Sequence, residues 1–226
     1  MTSRVFIITG GFGALGRAVG AAALAADARV ALVDAAPEGR GLPQGALAIG
    51  GVDLTDADQA ASAVEQAAEA LGGLDVLVNV AGGFVWQTLA DGDPAQWERM
   101  HRLNTLTCAN ASRAALPRLL ASDAGRIVNV GANAAVKAAA GMGAYAAAKA
   151  GVHRLTESLA EELKGRVTVN AVLPSIIDTP ANRADMPNAD FSAWASPAEV
   201  AAAILFLASE DASGVTGALL PVVGRV

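Results

Sequence analysis

The stretch RVFIITGGFGALGRAVGAAALAA (Arg4 to Ala26) reads as strand, turn and helix in immediate succession. Its first part, Arg4 to Gly10, is a short apolar run rich in β-branched residues and closed by glycine, which predicts a buried strand. The chain then turns on Gly11, Gly13 and Gly16 and takes up an alanine-rich helical pattern. That G-x-G-x-x-G spacing, between a strand and a helix, is the context in which it cradles a dinucleotide. One glycine allows the tight turn and another lets backbone N–H groups approach a pyrophosphate. The third lets helix and strand pack closely, while the helix dipole favours the anion. A glycine-rich turn without a ligand is the alternative. The candidate cofactor contacts here are Gly10, Gly11, Phe12, Gly13, Ala14, Leu15 and Gly16.

A second strand, RVALVD, ends at Asp34. A carboxylate at this place in a βαβ unit can hydrogen-bond the adenosine ribose hydroxyls and would repel the 2′-phosphate of NADP. The expectation is NAD(H) over NADP(H); an Asp that merely opens a surface loop is the other possibility. Strand-like runs continue with ALAIGGVD, DVLVNVAG, GRIVNV, RVTVNAVLP and GALLPVVG, separated by helical segments such as DADQAASAVEQAAEALG and PAEVAAAILFLASE. Such alternation predicts an α/β fold, a Rossmann-type doubly wound parallel sheet of about seven strands with helices on both faces. No linker composition interrupts it, so residues 1–226 are expected to form a single domain. The longest stretch without clear periodicity, near residues 175–197, is expected to be a substrate lid.

The single tyrosine, Tyr145, stands four residues before Lys149 in GMGAYAAAKAGVHRLTESLAEEL, which reads as one long helix. That spacing puts both side chains on one face. An ammonium beside the phenol is expected to lower its pKa, making Tyr145 a general acid–base group.

Composition excludes several classes. Hydrophobic residues make up 53% of the 226 and aromatics only 4%, enough apolar material for one sizeable core built on alanine. A net charge of −6 argues against a nucleic-acid partner. No long uncharged apolar run suggests a membrane span, and Arg4 leads into a strand rather than a signal segment. Lone Cys108 cannot form an internal disulfide, in keeping with an expected cytoplasmic location and a small buried hydrophobe's role. His101 and His153 have no cysteine or acidic cluster at ligand spacing, so structural roles are expected and no metal.

Taken in order, these motifs resemble the short-chain dehydrogenase/reductase family over essentially the whole chain. TGGFGALG matches its glycine motif, with Ala14 where many members carry glycine, and Asp53 in GGVDLTD, followed by Leu54, matches its Asp near the adenine. NVAG (Asn79 to Gly82, with Ala81) resembles its Asn-Asn-Ala-Gly turn, with Val80 for the second Asn. Asn104, Tyr145 and Lys149 match three members of its catalytic tetrad, and NAVLPSIIDT resembles the stretch that cradles the nicotinamide, with Pro174, Ile177 and Thr179 as contacts and Ser175 where glycine is usual. The resemblance implies Tyr145 as proton donor, Lys149 as holder of the nicotinamide ribose, and Asn104 as the residue that positions a water relaying protons to Lys149. It also implies a homodimer or homotetramer built on the helices carrying Asn104 and Tyr145.

One departure stands out. Ala132 occupies the place of the family's catalytic serine, and alanine cannot polarise a substrate carbonyl; neighbouring Asn133 is a candidate replacement. Within the family, GANAAVKAAAGMGAYAAAK and the run MPNADFSAW are similar to the dihydropteridine reductases, which also carry alanine there. The expected activity is hydride transfer between a nicotinamide and a C=O or C=N substrate, with a quinonoid dihydropterin favoured. Phe84, Trp86, Phe191 and Trp194 either stack on a flat heterocycle or pack a lid. A cofactor-sensing homologue that has lost fast chemistry is the alternative.

Overall fold

The computed structural model describes residues 3–226, so the first two residues of the expected domain lie outside the described part. The strands are β1 (Val5–Thr9), β2 (Arg29–Val33), β3 (Leu47–Ile49), β4 (Val76–Asn79), β5 (Arg126–Val130), β6 (Thr168–Pro174) and β7 (Leu219–Val222). The main helices are α1 (Ala14–Ala25), α2 (Ala57–Leu71), α3 (Ala95–Met100), α4 (Thr107–Ala121), α5 (Gly143–Glu162), α6 (Pro180–Asp185) and α7 (Pro197–Ala208). All pairings are parallel, in one seven-stranded sheet of order β3-β2-β1-β4-β5-β6-β7. This is the doubly wound arrangement the alternation predicts. Its order reverses between β1 and β4, which opens a crevice at the carboxyl ends of those strands.

The central strands are continuous apolar runs because both faces of the sheet are covered. Phe6, Ile8, Val30, Leu32, Val76, Val78 and Val128 meet Val19 and Ala23 of α1 and Val200 and Ile204 of α7 on one side. Ile7, Leu77, Ile127 and Val169 meet Ala60, Val64, Ala115 and Leu159 of α2, α4 and α5 on the other. The alternation of side chains along each strand sorts the two sets. Small residues on the helices let them lie close to the sheet, which is why so alanine-rich a chain packs well.

Two expectations are adjusted. The run ALAIGGVD is a strand only over Leu47–Ile49, because Gly51 turns the chain at φ +76° and gives its N–H to the Ala36 carbonyl. The stretch 175–197 is not irregular throughout. It holds α6, a 3₁₀ turn at Phe191–Ala193 and a bridge between Ile177 and Ala195. Arg183 ties it together, pairing with Asp178 at 2.5 Å and lying 4.7 Å over the Phe191 ring.

Candidate active site

The crevice is a cavity of about 670 Å³. Its floor is the turn after β1. Gly10 has φ +62°, a region costly for residues with a Cβ, and a Cβ there would stand 2.8 Å from the Ala81 nitrogen. A Cβ at Gly16 would collide with the Gly10 carbonyl, so only glycine lets α1 start so close to β1. Gly13 is the N-cap of α1 and offers no side-chain cap, and the first turn carries no acidic residue. The first N–H groups of a twelve-residue helix therefore open beside the cavity, unopposed by local negative charge, as a pyrophosphate requires.

Further along the wall, Asp34 receives the backbone N–H of Phe12 at 3.0 Å and of Ala36 at 3.0 Å. Asp34 thus shapes its own loop and also borders the cavity. Asp53 and Leu54 line the cavity with Val52 and Thr55. Ala81 and Gly82 line the middle, and Pro174, Ser175, Ile177 and Thr179 close the far side. Glycines, an open helix start and a carboxylate in this sequence suit a nicotinamide dinucleotide.

At the far end stand Asn104, Tyr145 and Lys149, together with Phe84. The long helix expected around Tyr145 is α5, and its spacing of four brings Tyr145 and Lys149 to the same cavity. Lys149 is 5% exposed, and its Nζ donates to the Val130 carbonyl at 2.7 Å. Burial lowers its pKa to about 8. The lowered phenol pKa expected from sequence is corrected here. Burial pushes Tyr145 up to about 12, because desolvation penalises phenolate while the ammonium of Lys149 is turned to Val130. The Phe84 ring meets the Tyr145 ring edge-on at 5.0 Å and supplies part of that dry environment.

Asn104 lies on a π-helical turn, His101–Leu106, between α3 and α4. Its Oδ1 accepts the Gly83 N–H at 3.2 Å, and its Nδ2 donates to the carbonyls of Gly83 and Met100, each at 3.0 Å. A Cβ at Gly82 would sit 2.6 Å from Asn104 Oδ1 and 3.3 Å from Lys149 Nζ, so both groups converge on that glycine.

Comparison with known proteins agrees with this geometry. Residues 4–190 match the short chain dehydrogenase family. The chain is 34% identical to 2-(S)-hydroxypropyl-CoM dehydrogenase 3 of Xanthobacter autotrophicus, over 99% of this chain and 96% of that one. It is 31% identical to acetoacetyl-CoA reductase of Allochromatium vinosum, over 98% of each. Among solved structures, a short-chain dehydrogenase/reductase (glucose/ribitol dehydrogenase) from Brucella melitensis superposes with a TM-score of 0.90 at 31% identity, covering 98% of this chain and 95% of that one.

The chain belongs to the short chain dehydrogenase family.

It is accordingly an oxidoreductase of the class that works with NAD(P)(H). Several residues singled out in the sequence lie off the wall of this dehydrogenase's cavity. Asn79 is buried behind it, donating through Nδ2 to Ser112 Oγ at 3.0 Å and Asn129 Oδ1 at 2.9 Å and so joining strands β4 and β5 to α4, while its buried Oδ1 has no partner. Gly11 packs under Leu32, and Phe12 meets the site only through the N–H it gives Asp34. Trp86 is exposed, with its Nε1 on the Ala140 carbonyl at 3.0 Å, while Trp194 is buried against Phe191. Neither lines the cavity: Trp86 lies on the Ala140–Gly141 segment and Trp194 packs within its own loop. Ala132 is buried beside the cavity-lining Gly131, and Asn133 is exposed at the start of a 3₁₀ turn (Asn133–Ala135).

Sequence reasoning passed over Arg17, Leu103 and Thr107, all on the wall. Arg17 follows the last motif glycine directly, and Thr107 is one helical turn past Asn104, so both carried a positional signal. Cys108 is buried and pushed to about 12, as expected of a small hydrophobe. Among the described residues there is no cluster fit to hold a metal, and no helix is long and apolar enough to cross a membrane.

Proposed function

We propose that this dehydrogenase uses NADH to reduce a C=O or C=N compound that needs little polarisation, with a quinonoid dihydropterin as the favoured substrate. The observation that carries this reading is Ala132, buried at the serine's place and unable to donate from its side chain. An ordinary ketone leans on such a donor. A quinonoid dihydropterin is already electron-poor and gains aromatic stabilisation on reduction, so one proton donor suffices. The run MPNADFSAW (Met186–Trp194) supports the same substrate class by resemblance.

When bound, the dinucleotide supplies the hydride. The open N–H groups at the start of α1 would hold its pyrophosphate, and Asp34 its adenosine ribose. Asp34 thereby favours NADH over NADPH, since a 2′-phosphate would meet a carboxylate. Tyr145, protonated across the neutral range, gives its Oη proton to the substrate heteroatom as negative charge develops there. Lys149 would return a proton to the Tyr145 phenolate and would hold the nicotinamide ribose. Asn104, facing Lys149 across Gly82, would place a water that passes protons to it. The segment 175–197 would close over the substrate as a lid.

Ala132 also favours a second reading, a cofactor-binding homologue with weak or no catalysis. Steady-state assays separate the two. NADH oxidation with a quinonoid dihydropterin at kcat near 1 s⁻¹ or above, roughly the lower end for enzymes, is expected, with acetoacetyl-CoA much slower. Tight NADH binding with no turnover in a panel of pterin, quinone, ketone and imine substrates would defeat the enzymatic reading.

A further inference from the structure

Tyr145, Lys149 and His153 follow one another at a spacing of four on α5, so they share a face of the helix. The first two border the cavity; the third does not. His153 is 3% exposed, and its Nε2 accepts the backbone N–H of Ala132 at 3.3 Å. One turn earlier, Lys149 Nζ donates to the Val130 carbonyl, and one turn later, Thr156 Oγ1 accepts from Asn129 Nδ2 at 2.9 Å. Three successive turns of α5 therefore hold three points on β5 and its exit. The imidazole also fills the space over Gly131, where a Cβ would stand 2.5 Å from Nε2 and 3.4 Å from Leu173.

We propose that His153 is a positioning residue of the substrate side of the site: as a neutral imidazole it holds the Ala132 amide, and so fixes the turn from Gly131 to Asn133 against which the substrate is seated.

Two consequences follow from the bonding. The amide N–H of Ala132, the natural substitute for a missing serine hydroxyl, is already given to His153. Position 132 thus offers the substrate neither a hydroxyl nor an amide proton, and Tyr145 is left as the donor. The second consequence concerns pH. An imidazole accepts through Nε2 only when neutral with its proton on Nδ1, and protonation sets one N–H against another. Burial, Arg154 and Lys149 all disfavour the cation, which holds the His153 pKa below its ordinary value. The strand groups packed against the ring, Gly131, Ala132 and Leu173, carry no titratable side chain. The turn is therefore held through the neutral range and released on the acid side.

The inference rests on the hydride-transfer reading only for its kinetic arm. Nitrogen-15 NMR of the whole chain, titrated from about pH 8 to about pH 5, is expected to show His153 Nε2 and the Ala132 amide shifting together with a midpoint below about 6.5. In His153→Gln, whose Oε1 accepts without titrating, the Ala132 amide should stay flat and kcat/KM should lose its acid limb. His153→Leu removes the acceptor. Substrate KM should rise and kcat fall, together on the order of tenfold or more in kcat/KM, while NADH affinity holds within about twofold. An Ala132 amide that does not follow His153, or an acid limb that persists in His153→Gln, overturns the assignment. If no substrate in the panel is turned over, the hydride-transfer reading fails while the NMR titration still decides the role of His153. Should His153→Leu not fold, the titration and His153→Gln decide it.

Discussion

Tyr145 keeps its proton because burial penalises phenolate, while the ammonium of Lys149 is turned to the Val130 carbonyl. A phenol held near 12 suits donation rather than abstraction. Removing only the hydroxyl, in Tyr145→Phe, keeps the ring contact with Phe84 and should cut turnover by about 10²–10⁴ with NADH affinity barely changed. Full activity in Tyr145→Phe towards every substrate of the parent would refute the mechanism. Lys149 titrates near 8, so its charge is lost as pH rises through that value. Reduction measured as kcat/KM should accordingly fall above about pH 8. Installing the missing hydroxyl by Ala132→Ser is the sharper probe. Ketone reduction should rise, since the carbonyl gains a donor, while reduction of a quinonoid dihydropterin should change little; a pterin rate that climbs as steeply as the ketone rate contradicts the proposed substrate. Asp34 decides cofactor choice. Fluorescence titration should find NADH bound more tightly than NADPH, with the gap narrowing in Asp34→Ala; an unchanged ratio removes that role.

At the scale of elements, the π-helical turn His101–Leu106 is the feature that aims Asn104. An extra residue in the turn rotates the helix face, and such turns occur mostly at functional positions. Here it directs a carboxamide onto both backbone groups of Gly83. The loop thus clamped carries Phe84 onto Tyr145, and further along it Gln87 donates its backbone N–H to the Gly141 carbonyl at 2.9 Å, just ahead of α5. Asn104→Ala leaves the partly buried Gly83 amide without its side-chain partner. Stability should fall by about 1–3 kcal/mol in urea denaturation, and turnover should fall with it even where NADH still binds. Equal stability and activity in Asn104→Ala would mean that the clamp is idle. Helix α7 is set differently, by a capping box in which Ser196 and Glu199 satisfy each other's backbone groups at the foot of the 175–197 segment. Arg225 pairs with Glu199 and donates its N–H to the Ala193 carbonyl, so the strand end and the segment share an anchor.

For the molecule as a whole, α4 and α5 lie on one outer flank, with Leu106 just ahead of α4, Leu116, Ala150 and Leu155 only partly buried. Helices so rich in small residues can approach a symmetric copy closely, and an isologous pairing through that flank would give a dimer or, with a second interface, a tetramer. Light scattering at micromolar concentration should find such an assembly; a monomer would exclude it.

Much of this protein is determined by the sequence alone. The period of its apolar runs specifies a parallel sheet, since only strands covered on both faces are apolar throughout. The glycines at 11, 13 and 16 predict a dinucleotide turn, and the structure shows why two of them lack side chains: a Cβ at 11 would collide with Leu32 and one at 16 with the Gly10 carbonyl. The spacing of Tyr145 and Lys149 specifies that they share a face. What tertiary structure alone decided is where each polar group spends its hydrogen bonds and how dry it is. Spacing could not tell that Lys149 turns to Val130, that Tyr145 is raised rather than lowered, or that the Asn79 amide donates to Ser112 and Asn129. Nor could it reveal that His153 takes the Ala132 amide, because these outcomes depend on strands β4 and β5 meeting α4 and α5. Local pattern reports which face a residue is on; burial and partners, which set its chemistry, come from elements far away in the chain.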